Sequence, residues 1–102
     1  MNRILKRLKK QTLSNKYNVF KKIAAYNNTY IRKDNILIKF EKINNICKAT
    51  KLTFYGCTFN DEYIKFNSAD EGNEYYKKCI EEGFYKIPEE EYEKIYNFCM
   101  NQ

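Results

Sequence analysis

Ile36-Leu37-Ile38-Lys39-Phe40-Glu41-Lys42-Ile43 alternates with the period of a strand: Ile36, Ile38 and Phe40 point one way, Leu37, Lys39 and Glu41 the other. Turn-forming residues bracket it, Lys33-Asp34-Asn35 before and Asn44-Asn45 after. Upstream, Thr29-Tyr30-Ile31 reads as a partner strand, which makes the pair a hairpin. Downstream, Lys48 to Phe59 alternates through Leu52 and Phe54 and resumes as Cys57 and Phe59. The apolar phase slips by one at Tyr55-Gly56, as a β-bulge at a permissive glycine would make it do. Asn60-Asp61 is then expected to turn the chain into Glu62 to Asn67, with Ile64 and Phe66 inward. Residues 29–67 are thus expected to form a three- or four-stranded antiparallel meander.

Beyond residue 67 the period becomes helical. Ser68-Ala69-Asp70-Glu71 has the spacing of a capping box; Tyr75, Tyr76, Cys79 and Ile80 follow on one face, and Gly83 supplies a stop. Pro88 fits the first turn of a second helix, with Glu89, Glu90 and Glu91 at the positive end of its dipole. Tyr92, Ile95, Tyr96 and Cys99 form its inward stripe. The connection Phe84-Tyr85-Lys86-Ile87 is too apolar for a free linker and is expected to pack. Over 69–100 the expectation is a helical hairpin covering one sheet face.

Upstream of the sheet, Asn2 can cap a basic amphipathic helix from Arg3 to about Lys10, within a segment 1–12. Ile4, Leu5 and Leu8 share one face of it, and Arg3, Lys6, Arg7, Lys9 and Lys10 fill the rest. In 13–27, Tyr17, Phe20, Ile23 and Ala24 repeat at helical spacing after Ser14, although a strand ending at Tyr26 also fits. The fold class that results is α+β in a single small domain, 1–102: N-terminal helices, the meander, then the helical hairpin.

A chain of 102 residues suits one core, and 43% hydrophobic with 17% aromatic residues argues against wholesale disorder. The longest aliphatic run is Ile36-Leu37-Ile38, too short to span a membrane as a helix. The basic N-terminus is followed by no apolar run of signal-peptide length, so a cytoplasmic, reducing setting is expected. Cys47, Cys57, Cys79 and Cys99 include no CxxC pair and are expected as small core hydrophobes.

The net charge of +6 hides a division. Residues 1–51 carry 14 basic and 2 acidic side chains, and residues 52–102 carry 5 basic and 11 acidic ones. Asn, Lys, Ile and Tyr supply 50 residues, a bias that A/T-rich codons alone would produce, but codon bias does not place charges. The chain is electrically two-ended.

Histidine is absent, which removes the usual general base, the commonest zinc ligand and every Ser-His or Cys-His nucleophile pair. The three glycines stand apart at 56, 72 and 83, so no phosphate-binding loop exists. Asp61-Glu62, Asp70-Glu71, Glu81-Glu82 and the acids of 89–93 are the candidate metal or acid–base groups, and the dipole already explains those at helix N-termini. The expectation is a non-catalytic binding protein with no cofactor and no metal.

Two binding classes follow. In the first, the acidic helices, with Glu81, Glu82, Glu89, Glu90, Glu91 and Glu93, dock in a basic groove of a protein or ribonucleoprotein complex that handles nucleic acid. Short, A/T-biased, histidine-free chains of this type are common among phage and plasmid accessory proteins, including anti-CRISPR-type inhibitors of defence nucleases; no motif here identifies that group. In the second, DNA or RNA is bound directly. The basic arm meets phosphates, and Lys39, Lys51, Tyr55, Tyr63 and Lys65 form a Lys/Tyr platform on the sheet. A membrane-surface role through Ile4, Leu5 and Leu8 ranks third.

Overall fold

The computed structural model describes residues 17–20, 28–56 and 58–101. The expected arm over 1–12, with Arg3, Lys6, Arg7, Lys9 and Lys10, lies outside the described residues, as do Cys57 and all of the expected 13–27 helix except Tyr17–Phe20.

The fold is α+β, built on an antiparallel sheet of five strands. In chain order these are β1 (Thr29–Lys33), β2 (Ile36–Ile43), β3 (Ile46–Tyr55), β4 (Thr58–Lys65), helix α1 (Ala69–Glu81), β5 (Tyr85–Ile87) and helix α2 (Glu89–Met100). The order across the sheet is β4-β3-β2-β1-β5. The first four strands form the expected meander. The fifth is the apolar connection 85–87, which packs by pairing Tyr30 with Ile87 along the far side of β1.

Local chemistry sets the turns. Asn44 and Asn45 both hold positive φ (52° and 65°), the backbone that a tight two-residue hairpin demands and that asparagine tolerates. Asp34 (φ 53°) does the same between β1 and β2. At Tyr55-Gly56 the structure corrects the bulge reading. Tyr55 pairs with Thr58, so Gly56, at φ 60°, opens a two-residue hairpin, and Asn60-Asp61 lies inside β4 rather than at a turn. A two-residue hairpin pairs even positions with odd ones, so it slips the apolar phase by one just as a bulge does. Leu52 and Phe54 therefore share a face with Phe59.

Helix α1 starts at the expected cap, the Ser68 hydroxyl accepting the Glu71 amide at 3.2 Å, while the return bond from the Ser68 amide to the Glu71 carboxylate that would complete a capping box is not formed among the described residues. It ends in a Schellman arrangement: Phe84 N–H donates to Cys79 C=O (3.0 Å), Gly83 N–H donates to Ile80 C=O (3.1 Å), and Gly83 takes φ 111°. Lys33 Nζ donates to the Glu82 carbonyl at 2.7 Å, placing a cation on the negative end of the helix. Pro88 is the N-cap residue of α2, one place earlier than a first-turn position.

The two helices do not cover one sheet face. Tyr76 and Cys79 of α1 pack with Ile31, Ile38, Phe40 and Ala49, whereas Tyr92 of α2 packs with Tyr30, Leu37 and Leu52. Ile38 and Leu37 are neighbours in one strand and so point to opposite faces. The sheet is the middle of three layers, and β5 carries the chain round its edge from α1 to α2. The physical reason lies in Ile36-Leu37-Ile38 itself: a run without polar alternation needs cover on both sides. Phe20 completes the α1 face, with its ring edge-on to Phe40 (6.1 Å) and Phe66 (5.8 Å).

Candidate binding surface

Strand register settles where each candidate residue lies. On the α2 face are Lys39, Tyr63 and Lys65; Lys51 and Tyr55 lie on the α1 face, since Lys51 pairs with Ile38 and Tyr55 with Thr58. The Lys/Tyr set is therefore divided between the two faces. Leu52 and Phe54 do not share a face with Ile36 and Ile64, because the β2–β3 register sets Ile36 opposite Thr53.

The lysines that remain on the α2 face are partly neutralised. Glu41 lies between Lys39 (3.3 Å) and Lys48 (3.5 Å). A groove of about 430 Å³ runs between α2 and the face of β1 to β4, lined by Tyr30, Lys39, Glu41, Asp61, Tyr63, Tyr92, Glu93 and Tyr96 among others. Its three carboxylates oppose a polyanion, and its tyrosines form an aromatic wall. Tyr92 stacks on Tyr96 at 6.0 Å and lies 4.7 Å from Tyr30. Burial pushes the Tyr92 hydroxyl up to about 12, with Tyr96 adding to the shift. Burial also raises Tyr30, whose hydroxyl donates to Glu89 at 3.2 Å.

The acidic candidates divide in the same manner. Glu81 and Glu82 are exposed at the C-terminal end of α1, where the Glu82 carbonyl holds Lys33. At the start of α2, Glu89 accepts from Tyr30 and Glu91 pairs with Arg32 at 3.5 Å. Glu90 and Glu93 are exposed and form no ion pair among the described residues.

Two features went unseen in the sequence. Arg32 joins three elements: it pairs with Glu91, lies 5.9 Å over the Phe54 ring and donates from Nε to the Asp34 carbonyl at 3.0 Å. The last turns of α2 also expose large apolar side chains, Phe98 at 58% and Met100 at 43%, next to Tyr96. Phe98 and Ile95 border an apolar hollow of about 450 Å³ floored by Phe54 and rimmed by Arg32 and Lys94. The available signal was Phe98 itself, a phenylalanine off the Tyr92-Ile95-Cys99 stripe.

Cys47, Cys79 and Cys99 are buried free thiols, as expected. Burial, helped by Glu82, pushes Cys79 up to about 11, so it stays a protonated thiol at neutral pH. Among the described residues no three Cys, Asp or Glu side chains converge as metal ligands, and no helix is long and apolar enough to cross a membrane. Comparison with protein-family models, with curated proteins and with solved structures finds no match to this chain.

Proposed function

We propose that this is a non-catalytic binding protein of phage or mobile-element type that docks, as an inhibitor or regulator, on a complex handling nucleic acid, with α2 as its docking element. One observation carries the reading: α2 exposes, in its first two turns, Glu90 and Glu93, which form no ion pair among the described residues, and, in its last, the large apolar groups Phe98 and Met100. Aromatic and methionine side chains are enriched in the buried cores of protein interfaces, while acids nearby steer the helix towards a basic groove. A defence nuclease, whose groove is basic because it holds nucleic acid, is one target of this chemistry.

Direct nucleic-acid binding through the sheet receives less support. Lys51 and Tyr55 lie on the opposite face from Lys39, Tyr63 and Lys65, and Glu41, Asp61 and Glu93 stand where phosphates would pass.

The test is a tagged pull-down from source-cell lysate, divided into nuclease-treated and untreated halves and run beside Glu90→Lys/Glu93→Lys and Phe98→Asp. The reading expects a nucleic-acid-handling protein that survives nuclease and is lost with either variant. Recovery of nucleic acid alone, released by nuclease and by salt, would replace it with direct binding.

A further inference from the structure

The two edges of the sheet are built differently. β5 is three residues long and runs into Pro88, which makes it a poor template for another strand. β4 is eight residues long, pairs with β3 without a bulge from Thr58 to Lys65, and contains neither proline nor glycine. Among the described residues nothing pairs with its outer side.

The ladder shows which groups that edge presents. Phe66 N–H donates to Cys47 C=O at 2.9 Å, and antiparallel pairs alternate, so Ile64, Glu62 and Asn60 bond inward to β3. Phe59, Asp61, Tyr63 and Lys65 turn their N–H and C=O groups outward. The same four side chains point to the α2 face. Of the two charged members, Lys65 faces Lys48 across the ladder and Asp61 faces Leu52, and neither forms an ion pair among the described residues.

We infer that β4 is a homodimerisation edge, pairing antiparallel with β4 of a second copy about a two-fold axis at Tyr63. Charge selects this occupant and this register. A two-fold axis perpendicular to the sheet keeps each residue opposite one on its own face. Centred on Asp61, it sets Asp61 against its own copy; centred on Glu62, it sets Glu62 against its own copy, and like charges directly opposite are unfavourable. Centred on Tyr63, it sets Asp61 against Lys65 of the second copy, twice, with the two Tyr63 rings adjacent. Tyr63 is 75% exposed in the single chain. All three opposed pairs are of the outward-bonding kind, so the register closes about six backbone hydrogen bonds.

The dimer is a ten-stranded sheet with both α2 helices on one side, and it does not depend on α2 binding a target. Sedimentation velocity of the full chain over a concentration series tests it. Wild-type protein is expected to dimerise; Asp61→Lys and Lys65→Asp, each of which opposes like charges, weaken dimerisation roughly tenfold or more. The double variant Asp61→Lys/Lys65→Asp restores opposite charges in this register alone, and dimerisation returns. Both positions are exposed, and far-UV circular dichroism confirms that each variant is folded. A wild-type chain that stays monomeric to millimolar concentration, or a double variant that stays as weak as the singles, overturns the proposal.

Discussion

Gly72 lies buried in the second turn of α1, where alanine would ordinarily be the better residue by about 1 kcal/mol. Here a Cβ would stand 2.9 Å from Phe20 Cζ and would overlap Cε2 of the same ring. The ring cannot give way cheaply, because it is 1% exposed and wedged edge-on between Phe40 and Phe66. Its backbone is also held, the Phe20 amide donating to Asn73 Oδ1 at 3.4 Å. Overpacking of this kind costs about 1–3 kcal/mol, and complete expulsion of a buried phenylalanine about 3–5. Set against the helix gain, Gly72→Ala should destabilise the protein in urea titrations by up to about 2 kcal/mol if the ring shifts in place and by about 2–4 kcal/mol if it is expelled. The decisive comparison is the Phe20→Ala background, where the space is empty and Gly72→Ala should become stabilising by up to about 1 kcal/mol. A substitution that stabilises the wild-type chain, or that has the same sign in both backgrounds, would refute the seating of Phe20 on α1.

Leu37→Ala and Ile38→Ala probe the two layers: each should cost about 2–5 kcal/mol in chemical denaturation, and near-neutrality of either would remove the cover from its face. Stability should fall as pH rises from about 9 to 12. Unfolded Cys79 and Tyr92 ionise near 9 and 10, their folded forms only near 11 and 12, so the unfolded state sheds protons first; each group contributes at most about 1.4 kcal/mol per pH unit, and a flat profile would contradict their burial. Arg32→Gln should cost about 0.5–1.5 kcal/mol, since a half-exposed ion pair and one cation–π contact are each worth little. A double-mutant cycle with Glu91→Gln should assign under about 1 kcal/mol to the pair, and a larger coupling would mean that the pair is more deeply desolvated than it stands here.

Much of the candidate surface was legible as residue types but not as an arrangement. The acids of α2 stand in its first turns because the dipole places them there, and the sequence shows that dipole. Whether a given acid is spent internally depends on what packs beside it: Glu91 meets Arg32, 59 places away, and Glu90 meets no partner among the described residues. The Lys/Tyr set looked continuous because strand alternation identifies the residues that share a face within one strand but not which face of the next strand they join. That relation rests on the even or odd length of each turn. Reading Gly56 as a bulge instead of a two-residue hairpin was enough to merge Lys51 and Tyr55 with Tyr63 and Lys65.

By itself the sequence determined what short-range physics controls. Ser68 caps a helix because its hydroxyl reaches an amide three residues on. Gly83 ends that helix because the left-handed backbone is open to it, and Asn44-Asn45 turns the chain because asparagine tolerates positive φ. Only the tertiary structure decided that the helices lie on opposite faces, that Tyr85–Ile87 is a strand and that Gly72 is a seat for Phe20. Those outcomes are set by which distant apolar surfaces are left to bury. Leu37 and Ile38, adjacent in sequence and equally apolar, required a cover each, and one helix could supply only one.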